Sequence, residues 1–221
     1  MEILLNNICF EYRNKYRRVE AVKSVSCRFE AGKMYAIMGA SGSGKTTLLS
    51  IIAGLRLPSS GEITVDGIPM STADRCKLRR EKISVIYQDF NLFPLLTVIE
   101  NTAYPLLIQK INKTVAENTA REKLASVGIT DDMLVQLPRM LSGGEQQRVA
   151  IARSLASGSK IILADEPTGS LDSENGKNIV DILKRLAHKE DCCVIIVTHD
   201  PSVAEEADVV MKMCDGNLKE S

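Results

Sequence analysis

Neither sign of charge is in excess in this sequence: across 221 residues, Lys plus Arg and Asp plus Glu each number 28. A balanced chain builds no global positive field, so composition gives no support to a nucleic-acid partner. Nowhere do about 20 predominantly apolar residues run together, the length a helix needs to span a bilayer. The opening MEILLNN lacks the basic stretch and apolar segment of an export signal. A chain that stays in the cytoplasm is expected. Its six cysteines, Cys9, Cys27, Cys76, Cys192, Cys193 and Cys214, include no C-x-x-C pair and are too sparse to staple a domain of this size. Reduced thiols are expected. The two histidines, His188 and His199, stand at no zinc-ligand spacing from a cysteine pair. The length suits one large domain, or a core with a subdomain.

What is present centres on GASGSGKTT, residues 39 to 47. Gly39, Gly44, Lys45 and Thr46 match the P-loop spacing G-x-x-x-x-G-K-[ST], and Ala40, Ser41, Gly42, Ser43 and Thr47 complete the loop. Context supports the match. The apolar stretch Met34 to Met38 reads as a short buried strand and Thr47 to Leu55 as a helix, so the glycines fall at a strand-to-helix turn. Small residues let backbone N–H groups converge on phosphate oxygens, and the helix end adds its dipole and unpaired donors. Lys45 is placed to neutralise the β- and γ-phosphates. The Thr46 hydroxyl suits Mg²⁺, a hard ion that takes oxygen ligands.

Upstream, Val25, Cys27 and Phe29 alternate with Ser24, Ser26 and Arg28, predicting antiparallel strands joined by an exposed charged connection at residues 13 to 18. Tyr12 stands at its edge and could stack on a base, although an isolated tyrosine is more often a packing residue. Downstream, Asp66-Gly67 predicts a hairpin. Ile83 to Tyr87 predicts a strand that delivers Gln88 at its carboxyl end, where an uncharged amide can hold a metal-bound water. The stretch 89 to 102 carries Phe90, Leu92, Phe93, Leu95 and Leu96 around Pro94, too apolar for an ordinary loop; it folds under or meets a partner. From there to about Ala156 the pattern is helical, with Glu117 and Arg121 spaced as an i,i+4 pair.

Within LSGGEQQR, Ser142 and Glu145 form a capping box that opens a helix, while Gly143 and Gly144 bare backbone donors in its first turn. This is a second anion site. In IILADEPTGSLD a continuous apolar run predicts a parallel strand buried on both faces, ending in Asp165, placed to hold Mg²⁺, and Glu166, able to take a proton from an attacking water. Asp172 or Ser173 caps the next helix, whose last turn holds His188 as a favourable charge and nothing more. Cys192 to Val197 predicts another buried strand. His199 follows it, where an imidazole could orient a water against a γ-phosphate or simply be a satisfied structural histidine. Asp215-Gly216 predicts a last hairpin turn.

Together these motifs resemble the nucleotide-binding subunits of ATP-binding cassette systems, along nearly the whole chain. Tyr12 matches that family's A-loop, GASGSGKTT its Walker A loop, Gln88 its Q-loop, LSGGE its signature, ILADEP its Walker B strand with catalytic glutamate, Ser170-Leu171-Asp172 its D-loop and His199 its H-loop. The resemblance implies an α/β fold: a P-loop core with a mostly parallel sheet and an N-terminal antiparallel β part (residues 1–88 and 157–221), and an inserted helical subdomain (89–156). It implies Mg²⁺-dependent ATP hydrolysis with Glu166, His199 and Gln88 catalytic, and Thr46, Gln88 and Asp165 at the metal. It also implies head-to-tail pairs in which ATP on one Walker A loop is covered by the partner's Ser142, Gly143, Gly144 and Glu145, with Asp172 nearby.

The resemblance further implies a membrane permease docking near Phe90 to Leu96, on the inner face of the cell membrane. YQDFNLFPLLTVIENT and ADEPTGSLD look most like ATPases of lipoprotein-release, macrolide-efflux and antimicrobial-peptide-resistance systems, some of which pass mechanical work without carrying a substrate. Lys33 and Ser170 depart from the glutamate and asparagine common there. A cell-division-type ATPase that regulates wall hydrolases is the alternative; soluble relatives acting on DNA or ribosomes generally need a coiled-coil insertion or two tandem cassettes, which this chain lacks. On the P-loop assignment, Lys45→Ala is expected to weaken triphosphate binding by an order of magnitude or more, read by titration with ATP; unchanged affinity would count against the assignment.

Overall fold

The structure, a computed structural model, describes residues 1–13 and 18–220. The chain opens with β1 (Glu2–Arg13), β2 (Arg18–Glu30), β3 (Met34–Met38), α1 (Lys45–Ile52), β4 (Ser60–Val65) and β5 (Ile68–Pro69). Next come α2 (Arg75–Glu81), β6 (Ile83–Tyr87), α3 (Val98–Ile108), α4 (Lys113–Ser126) and α5 (Gly143–Ala156). It closes with β7 (Ile161–Asp165), α6 (Ser173–Glu190), β8 (Cys193–Thr198), α7 (Pro201–Glu205), β9 (Val209–Cys214) and β10 (Asn217–Glu220). Two sheets result: an antiparallel one in the order β2-β1-β4-β5, and a second in the order β10-β9-β3-β8-β7-β6, parallel except for β10.

Period-two alternation explains how the second sheet separates two cores. Cys193, Ile195 and Val197 of β8 face a core shared with the antiparallel sheet and α1, together with Phe29, Leu5 and Ile51. Val194 and Ile196 of the same strand face the opposite core, with Val149 of α5 and Leu183 of α6. Every residue of β8 is buried, which is why its sequence reads as an unbroken apolar run. A one-residue slip would exchange the two faces, so the register is fixed from both sides.

Helix boundaries depend on caps. α1 begins at Lys45, two residues before the predicted start, because Gly44 at φ 108 serves as its N-cap; it ends at Ile52, ahead of left-handed Gly54. Capping boxes open α3 (Thr97 with Glu100) and α5 (Ser142 with Glu145), and Asp172 caps α6 through Asn175 N–H. The Glu117–Arg121 pair does not form. Arg121 reaches Asp131 instead, at 2.7 Å, and Glu117 lies 3.6 Å from Lys113. Pairs on exposed surface gain so little that a nearer partner decides the geometry. β8 starts at Cys193, one residue after the predicted start, because Cys192 N–H donates to Leu186 O in the last turns of α6. The expected connection at 13 to 18 is bounded by the ladder pair Arg13 and Arg18, and its residues 14–17 lie outside the described residues.

His188 does more than place charge at a helix end. Its Nε2 lies 2.9 Å from Asp208 Oδ2, and that oxygen accepts the Met34 N–H at 2.7 Å, tying α6 to the first residue of β3. Burial raises the Asp208 carboxyl, but the Met34 N–H and His188 more than reverse this and hold it below its ordinary value. A depressed carboxylate contributes stability above its unfolded value and loses it as pH falls through the folded one. Asp208→Asn is therefore expected to destabilise the chain by about 1 kcal/mol at neutral pH. In urea titrations the gap to wild type should close in acid; a gap that stays constant would show that the charge contributes nothing.

Candidate functional site

Strands of the parallel sheet end level with one another, and this alignment assembles the site. Met38 of β3 pairs with Thr198 of β8, Val197 of β8 with Asp165 of β7, and Asp165 with Tyr87 of β6. Gly39, His199, Glu166 and Gln88 therefore leave the sheet at one edge, the carboxyl edge where open α/β sheets bind ligands. A cavity of about 980 Å³ opens there, lined by Ser41 to Thr47, Gln88, Asp165, Glu166 and His199, with Tyr12 at its side.

The P-loop is pressed into place from outside. A Cβ on Gly44 would overlap Ala21 O of β2, so this position needs glycine for space as well as for its φ of 108. Gly216 N–H donates to Ser43 O at 3.0 Å, and Gly216 O accepts the Lys23 N–H at 2.8 Å. Val19, Glu20, Ala21, Lys23, Asp215 and Gly216 consequently line the cavity, none of them anticipated from sequence. The Asp215-Gly216 turn was legible; that it would lie against the P-loop was not.

Lys45, 7% exposed, turns back along the loop and donates to Gly39 O at 2.7 Å and Ala40 O at 3.0 Å. A phosphate oxygen is a stronger acceptor for that ammonium than either carbonyl. Thr46 Oγ1 donates to Asp165 Oδ1 at 3.2 Å. Burial raises the Asp165 carboxyl, with the adjacent Glu166 charge adding to it, while Thr46 and Lys45 pull it down. A divalent cation would relieve that strain on the ionised form. The donor set fits one: a hydroxyl, a carboxylate and the Gln88 amide are hard oxygen ligands of the kind Mg²⁺ takes. Among the described residues no group of three or more His, Cys, Asp or Glu side chains could hold a metal.

Glu166 sits in the left-handed region at φ 49, its N–H donating to Val197 O at 2.9 Å. For a residue with a Cβ this backbone costs energy, and such residues cluster at working sites. Its carboxylate lies 2.9 Å from His199 Nδ1. Tyr12 OH lies 3.1 Å from Thr47 Oγ1. At the end of β6, Gln88 O accepts the Ser170 hydroxyl at 3.3 Å. Two carboxylates, an imidazole, an ammonium and hydroxyls thus converge on one cavity.

Ser142, Gly143, Gly144, Glu145 and Asp172 are not brought to this cavity. Ser142 is exposed and its hydroxyl and N–H both reach Glu145 Oε2, at 2.8 and 2.7 Å. These bonds from Ser142 hold the Glu145 carboxyl below its ordinary value. The Gly143 and Gly144 N–H groups have no acceptor among the described residues. Gly144 also answers a packing need, since a Cβ there would overlap the Asn175 side chain of α6. Asp172 caps α6 and lines a separate cavity of about 350 Å³.

The 90 to 96 stretch both folds under and stays exposed. Leu92 packs on the second core, Phe93 stacks on Tyr104 with centroids 4.7 Å apart, and Leu95 is 86% exposed. Beside it runs a groove of about 260 Å³ lined by Leu55, Tyr104 and Ile108 with Arg79, Arg80 and Arg153. Arg153 donates to Asn91 O at 2.8 Å and Phe90 O at 3.1 Å, holding two consecutive residues at φ 48 and 59. Arg79 donates to Gly54 O and to Cys76 Sγ. Both arginines spend their donors on neutral acceptors.

A P-loop fold with a hydroxyl and a carboxylate pair converging on one cavity defines a nucleoside triphosphatase. The sequence profile of the ABC transporter family matches residues 22–169, and the chain belongs to that family as an ATP-binding cassette, an ATPase. ABC transporter ATP-binding protein MJ0796 of Methanocaldococcus jannaschii is 40% identical over 223 residues, covering 98% of this chain and 95% of that one. YvrO of Bacillus subtilis is 40% identical over 219 residues, covering 98% and 95%. Among solved structures, the dimeric MJ0796 cassette in a post-hydrolysis state bound to ADP and Pi superposes with a TM-score of 0.91 at 38% identity, covering 99% of this chain and 97% of that one. The cbiO1 protein of Clostridium perfringens, part of the transporter complex cbiONQ, gives 0.87 at 27% identity, covering 98% and 86%.

Proposed function

We propose that this ATPase is the energy-coupling subunit of a membrane system and works as a head-to-tail pair of identical chains. The observation that supports this reading is the separation of two sets of backbone donors: the P-loop lines the cavity, whereas the start of α5, where Gly143 and Gly144 N–H have no acceptor among the described residues, does not. A two-fold partner supplies what each site lacks. In this reading Tyr12 stacks on the base, residues 39 to 47 cradle the phosphates and Lys45 neutralises them. Thr46, Gln88 and Asp165 hold Mg²⁺, which when bound balances charge on the γ-phosphate. Glu166 takes the proton of the attacking water, and His199 steers that water. Ser142, Gly143, Gly144 and Glu145 cover the partner's nucleotide, with Asp172 at the same interface. The dimeric MJ0796 cassette with ADP and Pi supports this arrangement by similarity.

No helix of the described residues is long and apolar enough to cross a membrane. In this reading the pair acts through a separate permease on the inner membrane face, docked near Phe90 to Leu96, with residues 89–156 as the helical body that receives it. The exposed apolar set of Phe93, Leu95, Tyr104 and Ile108 supports that position. The arginine-lined groove suits a docking element that brings a carboxylate. The motif resemblance favours the lipoprotein-release and macrolide-efflux type of permease.

Glu166→Gln is expected to keep ATP binding, lose roughly 10²–10⁴-fold in turnover and accumulate as an ATP-bound dimer in size-exclusion chromatography. Wild-type turnover in this variant would remove Glu166 from its role. Leu95→Asp should leave folding and ATP affinity intact while abolishing co-purification of a membrane subunit. A variant that fails to fold would instead mark Leu95 as core.

A further inference from the structure

Tyr12 is held on three sides before any nucleotide arrives. Its hydroxyl is within hydrogen-bond distance of Thr47, in the first turn of α1. Phe10, two residues earlier on β1, meets its ring at 80° with centroids 5.0 Å apart. The third contact comes from Arg56, in the turn after α1: its guanidinium carbon lies 5.2 Å from the Tyr12 centroid and 5.8 Å from that of Phe10. Tyr12 lines the nucleotide cavity and Arg56 is not among the residues that do.

We propose that Arg56 is a positioning residue for base recognition: by sitting over Tyr12 it fixes the ring as a preformed platform for the purine of ATP. This rests on the reading that the base stacks on Tyr12. Tyr12 is 41% exposed on a strand that ends at Arg13, so without Arg56 the ring would keep more freedom about its two side-chain torsions, held only by Phe10 and the hydroxyl contact with Thr47. A cation over one face removes that freedom through attraction to the ring quadrupole. A base that then stacks on the open face does not bear the cost of ordering its platform, which is how preorganisation becomes affinity. Phe10 shares the same guanidinium, so the arginine is itself held between two rings. The sequence hid this contact because Arg56 lies 44 positions from Tyr12, in a turn with no motif of its own.

The test compares wild type, Arg56→Met, Arg56→Lys, Tyr12→Ala and the double variant, using two probes: ATP, and inorganic tripolyphosphate, which has phosphates but no base. Exposed cation–π contacts of this kind correspond to roughly a two- to five-fold change in binding. Arg56→Met is expected to weaken ATP by that factor, leave tripolyphosphate unchanged and leave the maximal turnover unchanged. Arg56→Lys should recover most of the loss. In the Tyr12→Ala background, Arg56→Met should have no further effect. Equal weakening of both probes, or an undiminished Arg56 effect without Tyr12, would show that Arg56 acts as a remote charge on the phosphates and would overturn the proposal. Normal ATP affinity in Arg56→Met beside a clear loss in Tyr12→Ala would remove Arg56 alone. Normal affinity in both would take the base away from Tyr12 and sink the underlying reading as well.

Discussion

The level ends of the parallel strands are the constraint on which the rest depends. Four loops meet only because Met38, Thr198, Asp165 and Tyr87 stand in one register, and that register is held by burial on both faces of the sheet. Residues 193, 195 and 197 belong to one core and 194 and 196 to the other, so no slip could preserve both. Within the parallel strands only Asp165, the last residue of β7, belongs to the cavity lining. Their work is to hold Gly39, Gln88, Glu166 and His199 at one level, which lets weak local interactions fix the final geometry.

Those local interactions pair the site's own groups with one another. Lys45 lies on two carbonyls, Thr46 on Asp165, His199 on Glu166, and Tyr12 on Thr47. Each is modest, and each occupies a group that a nucleotide or its metal would otherwise have to find unpaired and desolvated. Leaving a buried ammonium or carboxylate without a partner costs far more than such a bond returns. Under the proposed reading, nucleotide binding exchanges partners, and Lys45 contributes only the difference between a phosphate oxygen and two carbonyls as acceptors.

Much of this was legible in the sequence because the chemistry is local. The P-loop spacing, the capping box at Ser142 and Glu145, the apolar runs ending in Asp165 and Thr198 and the turn at Asp66-Gly67 each lie within a dozen residues and impose their own geometry. What sequence could not show was contact across large separations. Ala21 of β2 and Gly216 in the turn between β9 and β10 brace the P-loop from opposite ends of the chain. His188 finds Asp208 because α6 happens to end beside β3. The Glu117–Arg121 pair fits the spacing and fails in space, since an exposed arginine chooses among all carboxylates within reach and Asp131 is nearer. Gly144 reads as a bare anion site but also answers to Asn175, a contact with no signature in either segment.

One helix connects the parts that the cavity leaves apart. α5 begins with the unpaired N–H groups of Gly143 and Gly144 and, about three turns later, carries Arg153, whose guanidinium holds the carbonyls of Phe90 and Asn91. Those two residues stand in a left-handed backbone that Phe90 in particular would not adopt unaided. They directly follow Gln88 and Asp89, and the exposed Phe93 and Leu95 come two and four residues after Asn91. Under the proposed reading, a partner's nucleotide pulls on one end of α5, and the permease rests on the loop that α5 grips at the other. A helix is stiff along its axis, so displacement at the first turn reaches Arg153 with little loss. The strain at 90 and 91 then has a use: a loop that would relax if released must follow the helix for as long as Arg153 holds it. Gln88, at the start of the same loop, lines the cavity, so under the same reading the loop responds to the nucleotide of its own chain as well as that of the partner.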